Sequence, residues 1–75
     1  MKINTEKVIS DIKEFVIIPY VRKNRMFPTA KSTAEELDID YSYFTMIWKG
    51  KVEITKYILK KVCRKTGRTP KDYII

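Results

Sequence analysis

The chain has 75 residues, one cysteine, no histidine and a formal net charge of +7. That length holds one domain with a small core. A single thiol excludes an internal disulfide, and without histidine it leaves no zinc site. Only two glycines and three prolines stand among many Lys, Glu and Ile, which favours helices over a turn-rich β fold.

The first helix is predicted to start after Asn4 or Thr5. Val8, Ile9, Ile12, Phe15 and Val16 recur at three- and four-residue spacing and make one apolar stripe. Glu6, Asp11 and Glu14 fall mostly off that stripe, on the wet side. Pro19 removes a backbone donor and crowds the preceding turn, so a kink or break is expected there, with helix resuming to Asn24. A strand over 15–21 is the alternative. Val16, Ile17 and Ile18 are apolar in succession, and a helix in so small a domain buries one face. One of the three is therefore expected to stay exposed as a self-association surface. The apolar run from Phe15 to Val21 is far shorter than the roughly 20 residues of a membrane span. It also lacks the features of a secretory signal, so a cytoplasmic protein is expected.

Residues 25–28 read as a connection. Thr29 is a candidate N-cap for a second helix over Ala30–Leu37; Ser32 with Glu35 offers a later start through a capping box. Ala34 and Leu37 face the core. A tight turn at Leu37-Asp38-Ile39 leads to Asp40, an N-cap for a third helix over Tyr41–Lys49 that stops at Gly50. Residues 29–50 thus have the layout of a helix-turn-helix unit, whose second helix enters a DNA major groove.

A helix turns about 100° per residue. Phe44 and Ile47 then share one side, with Trp48 beside them as core anchors. Ser42, Thr45, Met46 and Lys49 take the opposite side, and Tyr41 and Tyr43 the flanks. Hydroxyls bond either base type and apolar atoms meet a thymine methyl, so this face suits a groove. With no Arg, Asn or Gln on it, bidentate base contacts are missing and direct readout is expected to be modest.

A fourth helix follows Thr55 and runs to Lys65 or Thr66, with Gly67 as its stop. Ile58, Leu59, Val62 and Cys63 form its inner face and Lys60, Lys61, Arg64 and Lys65 its wet face. Thr69-Pro70 starts a fifth helix, Pro70–Ile75. Charge is uneven along this order. Residues 1–48 hold seven basic and seven acidic side chains, whereas residues 49–75 hold nine and two. The excess begins where a recognition helix would end, which points to phosphates. Arg22, Lys23 and Arg25 could reach a flanking phosphate or simply solvate a helix end.

Residues 29–74 resemble the helix-turn-helix domain of the Cro- and Xre-like phage repressor family. The resemblance rests on Ala34 and Leu37, on Ile39 in the turn and on the run Asp40-Tyr41-Ser42-Tyr43-Phe44-Thr45-Met46-Ile47. Lys49-Gly50-Lys51, Thr55 and Gly67 with Thr69-Pro70 complete it. It implies an all-α, lambda-repressor-like bundle of about five helices in a single domain over 1–75. It implies a transcriptional regulator of phage or mobile-element type, a repressor that binds double-stranded DNA as a homodimer. By position, Tyr41, Ser42, Thr45 and Met46 become base-facing, and Lys49 and Lys51 become phosphate contacts; Tyr43 and Lys56 beside them are further candidate phosphate contacts. The chain departs from the family at Asp38, where glycine is usual, at Trp48, and at Thr66 and Arg68, where apolar residues are usual. Helix 1 is also longer and more apolar than the family needs.

No catalytic constellation, metal set, cofactor motif or small-molecule site is expected: Lys49-Gly50-Lys51 lacks the spacing of a phosphate loop. The competing reading is a protein-interaction module that uses the same fold to bind or antagonise a partner protein.

Overall fold

The computed structural model describes residues 2–75, and among them there are helices and no strand. Helix α1 occupies residues 5–24 as one rod in three registers: α-helical Thr5–Ile12, π-helical Lys13–Ile17 and α-helical Ile18–Asn24. Helix α2 is Ala30–Leu37, α3 is Tyr41–Trp48 and α4 is Lys56–Thr66. A 3₁₀ turn over Pro70–Tyr73 follows. The bundle is all-α, with four helices rather than the five expected. None is long and apolar enough to cross a membrane.

The missing fifth helix has a local cause. The Thr69–Asp72 capping box closes a single turn, with the Thr69 N–H donating to Asp72 Oδ2 at 2.8 Å. Ile74 is extended instead and pairs antiparallel with Ile3, while Asn4 N–H donates to the Tyr73 carbonyl at 2.6 Å.

Pro19 neither breaks the rod nor allows the strand alternative. An α-helix carrying it would drive the proline ring into the carbonyl of Phe15. The chain widens first: the Ile18 N–H reaches back to the Lys13 carbonyl, one residue beyond the α register. The extra residue in that turn shifts the apolar stripe. Val8 and Ile12 are buried and Val16 and Ile17 pack on the core, but Phe15 is carried out to the rim. There its ring lies 5.5 Å from the Arg68 guanidinium.

The core joins Val8 and Ile12 of α1 to Ala34 and Leu37 of α2, Phe44 and Ile47 of α3, and Leu59 and Val62 of α4. The phase expected for α2, α3 and α4 holds at these positions. Asp11 departs from its expected wet position and is only 4% exposed. The Tyr73 hydroxyl, itself fully buried, donates to Asp11 Oδ2 at 2.8 Å and lies 3.0 Å from Thr66 Oγ1. Arg68 Nε stands beside the same carboxylate oxygen, off the hydrogen-bond direction, so that contact is a charge pair rather than an aligned bond. Thr66 and Arg68, which depart from the apolar pattern of the resembled family, therefore serve the buried carboxylate, Arg68 directly as its counter-charge and Thr66 through the Tyr73 hydroxyl.

Burial, supported by the neighbouring Asp11, pushes the Tyr73 phenol up to about 12. A phenol whose folded value lies above its unfolded value of about 10 favours the fold while neutral. That contribution is complete below pH about 10 and is lost as pH rises through about 12. Tyr73→Phe should cost about 1 to 3 kcal/mol at neutral pH, since Asp11 loses a donor. The deficit relative to wild type should shrink between pH 10 and 12. Denaturant titrations of both proteins across that range check it; a deficit that does not change with pH contradicts the role of the phenol.

Candidate nucleic-acid interface

The candidate interface is built by the way α2 hands over to α3. At the end of α2 the Ile39 N–H donates to the Ala34 carbonyl at 2.9 Å and the Asp38 N–H to the Glu35 carbonyl at 3.0 Å. This bond pair is a Schellman motif, and it places Asp38 in the left-handed region at φ 58°. A residue other than glycine is disfavoured there, with Asp among the best tolerated. The fold adds a clamp. Lys61 of α4 donates to the Asp38 carbonyl and pairs with its carboxylate at 3.1 Å. The lysine lies 4.7 Å from the Tyr57 ring, and Tyr57 and then Asp38 hold its pKa above the ordinary range.

Asp40 then caps α3, its carboxylate accepting from the Tyr43 N–H at 3.2 Å. Phe44 and Ile47 are buried, and the Trp48 ring stacks on Phe44 with centroids 5.5 Å apart. Lys13 of α1 lies over the other aromatic system, 5.7 Å from the Trp48 centroid. A second Schellman motif ends α3. The Lys51 N–H donates to the Met46 carbonyl at 2.9 Å and the Gly50 N–H to the Ile47 carbonyl at 3.0 Å. Gly50 takes φ 73°, which a side chain would resist. The helix stops at Trp48, one residue before the expected end, and Lys49 is its C-cap.

This anchoring turns a defined set outward. Tyr41 is 50% exposed and Met46 39%, and Ser42 and Lys49 are exposed beside them. Thr45 is half-buried, and its hydroxyl donates to the Tyr41 carbonyl at 2.9 Å. Its lone pairs remain available, but its proton is committed within the helix. Thr45 also lines a cavity of about 300 Å³ with Ile17, Pro28, Phe44, Trp48 and Lys49.

Tyr43 behaves differently from the phosphate contact expected of it. It is half-buried and donates its hydroxyl proton to the Glu53 carbonyl at 2.8 Å, tying α3 to the segment before α4. No donor is left for a phosphate. Lys51 and Lys56 are exposed, the latter at the first position of α4 behind the Thr55 cap, whose hydroxyl accepts from the Ile58 N–H at 3.3 Å. Lys49, Lys51 and Lys56 have no carboxylate partner among the described residues. Among those residues, no cluster of acidic side chains and thiol is placed to hold a metal ion.

Sequence reasoning missed two residues that shape this site. Lys61 falls on the wet face of the sequence pattern, yet it holds the turn between α2 and α3. Lys13 was not singled out, yet it braces Trp48. The pattern did contain a signal for the first: Asp38 in a glycine position calls for a compensating donor. Comparison with protein-family models, with curated proteins and with solved structures gives no match.

Asp38 separates backbone strain from the clamp. Asp38→Ala should destabilise by about 1 to 2 kcal/mol, since alanine keeps the left-handed penalty and loses the carboxylate. Asp38→Gly should be tolerated better, since glycine removes the strain while losing the same ion pair. Thermal melts of the two variants check this; equal losses would mean that the ion pair, not the backbone, dominates the turn.

Proposed function

We propose that the protein is a small transcriptional regulator, a repressor of phage or mobile-element type, that binds double-stranded DNA with α3 in the major groove. One observation carries the reading. Helix α3 is anchored by Phe44 and Ile47 and presents Tyr41, Ser42, Met46 and Lys49 outward, and its C-terminal end runs straight into cations without a carboxylate partner among the described residues. Tyr41, Ser42 and Met46 would meet base edges, with Thr45 contributing only as an acceptor or through its methyl group. Lys49, Lys51 and Lys56 would meet phosphates. Such a contact set gives a large salt-dependent affinity with modest sequence preference, because phosphate contacts position and base contacts specify.

The proposal extends to a homodimer. Among the three successive apolar residues of α1, Ile17 lines the cavity beside α3 while Ile18 is 44% exposed. Phe15, Met26 and Phe27 are exposed on the same rod and on the loop behind it. Exposed apolar surface of this kind marks interfaces, and two copies would supply the paired recognition helices that half-sites about 34 Å apart require. The same residues favour the second reading, in which this surface takes a different protein.

With roughly four to eight phosphates neutralised, the logarithm of affinity for duplex DNA should fall with the logarithm of salt at a slope of about −4 to −7. Lys49→Ala should weaken all sequences alike and flatten that slope by about one unit, whereas Met46→Ala should shift the preferred site. Fluorescence anisotropy over a salt series reads both; a slope near zero removes DNA from the proposal. For the dimer, sedimentation equilibrium should show wild-type self-association on DNA or free, and its loss in Ile18→Lys. A wild type that stays monomeric in both states contradicts it.

A further inference from the structure

We propose that the outer face of α4, with the cleft beside it, docks an acidic peptide segment that carries one apolar anchor side chain. The surface shares Lys56 with the phosphate contacts proposed above; its other residues lie off α3, and the inference does not depend on what α3 binds. Helix α4 carries Lys56, Lys60, Lys61, Arg64 and Lys65 and no carboxylate. Two of these cations are turned to α2: Lys61 pairs with Asp38 at 3.1 Å and Lys65 with Glu36 at 3.8 Å. The other three are exposed and have no carboxylate partner among the described residues.

Lys56, Lys60 and Arg64 recur every fourth residue, so they stack about 6 Å apart along one side of the helix. Like charges at that spacing destabilise a helix. Nothing in the rest of the described chain offsets them. An external anion would, and its charge complementarity to this stripe is the first part of the argument.

The second part is what lies beside the stripe. A cleft of about 250 Å³ opens between α4 and the 3₁₀ turn, lined by Lys56, Leu59, Lys60, Pro70 and Ile74. Its floor is apolar and its rim is cationic. The volume falls below the roughly 300–1,000 Å³ of small-molecule sites, and suits one leucine, isoleucine or phenylalanine side chain. A phosphodiester chain would match the lysines but would have nothing to place on Pro70 and Ile74. A peptide with carboxylates flanking one apolar residue matches both, since its anchor leaves water in the cleft as its charges meet the rim.

The test is selection of a display library of random short peptides on the full chain, followed by titration of the enriched peptides. The Lys60→Glu/Arg64→Glu double variant changes only exposed positions, and a Lys60→Gln/Arg64→Gln variant guards against misfolding of the first. Enriched peptides should be acidic with a single Leu, Ile or Phe. They should lose at least about tenfold in affinity on the Glu variant, and as much when the anchor is replaced by Ser. Binding should be unchanged on Met46→Ala. The proposal is overturned by enriched peptides without this pattern, by unchanged affinity for both double variants, or by anchor replacement without effect. It is also overturned if duplex DNA loses affinity on the double variants while the peptides do not, which would assign the stripe to nucleic acid.

Discussion

Burial of the Asp11 carboxylate is the constraint around which the rest of the chain is arranged. A carboxylate with 4% exposure destabilises a fold unless it is bonded and its charge is matched. Tyr73 supplies the bond, Arg68 the charge, and Thr66 the second partner of the phenol. These groups come from α1, from the last turn of α4, from Arg68 just beyond it and from the 3₁₀ turn, so the requirement draws residues 2–12 and 66–75 together. The backbone bonds that join residues 2–4 to 73–75 follow from that closure. Without it α1 and α4 would share only an apolar contact, which is non-directional and would not fix their mutual angle.

That angle matters because α1 and α4 form the base on which α2 and α3 rest. Phe44 and Ile47 drop into the core they define, and Lys61 reaches from α4 to hold Asp38 in a left-handed conformation. Two Schellman motifs, one between α2 and α3 and one after α3, then set where α3 begins and where its last residues point. The outward face of α3 is thus fixed by backbone geometry at both ends and by aromatic packing in the middle. Its exposed residues are held on a rigid element, which a recognition surface needs.

Much of this was legible in the amino-acid order. Thr29, Asp40 and Thr55 announce helix starts because each offers a side-chain oxygen at an N-cap position, and all three cap as expected. Gly50 and Gly67 announce helix stops and take positive φ. The 3.6-residue period of Phe44, Ile47, Leu59 and Val62 gives the buried faces directly. Long-range polar pairing was not legible. Asp11 looks like a surface residue because its partner Tyr73 lies 62 positions away, and no local pattern links them. The π-helical segment was hidden for a related reason: Pro19 predicts trouble, but whether the chain breaks or widens depends on packing of Val16 and Ile17 against the core. Tyr43 shows the limit at the candidate interface, where exposure on a helical wheel did not reveal a hydroxyl already committed to Glu53.

The nine cations after residue 48 divide by structure into four groups: Lys61, Lys65 and Arg68 have carboxylate partners, Lys49 and Lys51 continue α3, Lys56, Lys60 and Arg64 line α4, and Lys71 stands on the 3₁₀ turn. Net charge alone cannot say which group meets a polyanion. Residue-resolved NMR titration with duplex DNA at low salt can. Recognition through α3 predicts the largest shifts at Tyr41, Ser42, Met46, Lys49, Lys51 and Lys56, with Lys60 and Arg64 little changed. Shifts concentrated on α4, or on Phe15, Ile18, Met26 and Phe27 with α3 silent, would contradict it.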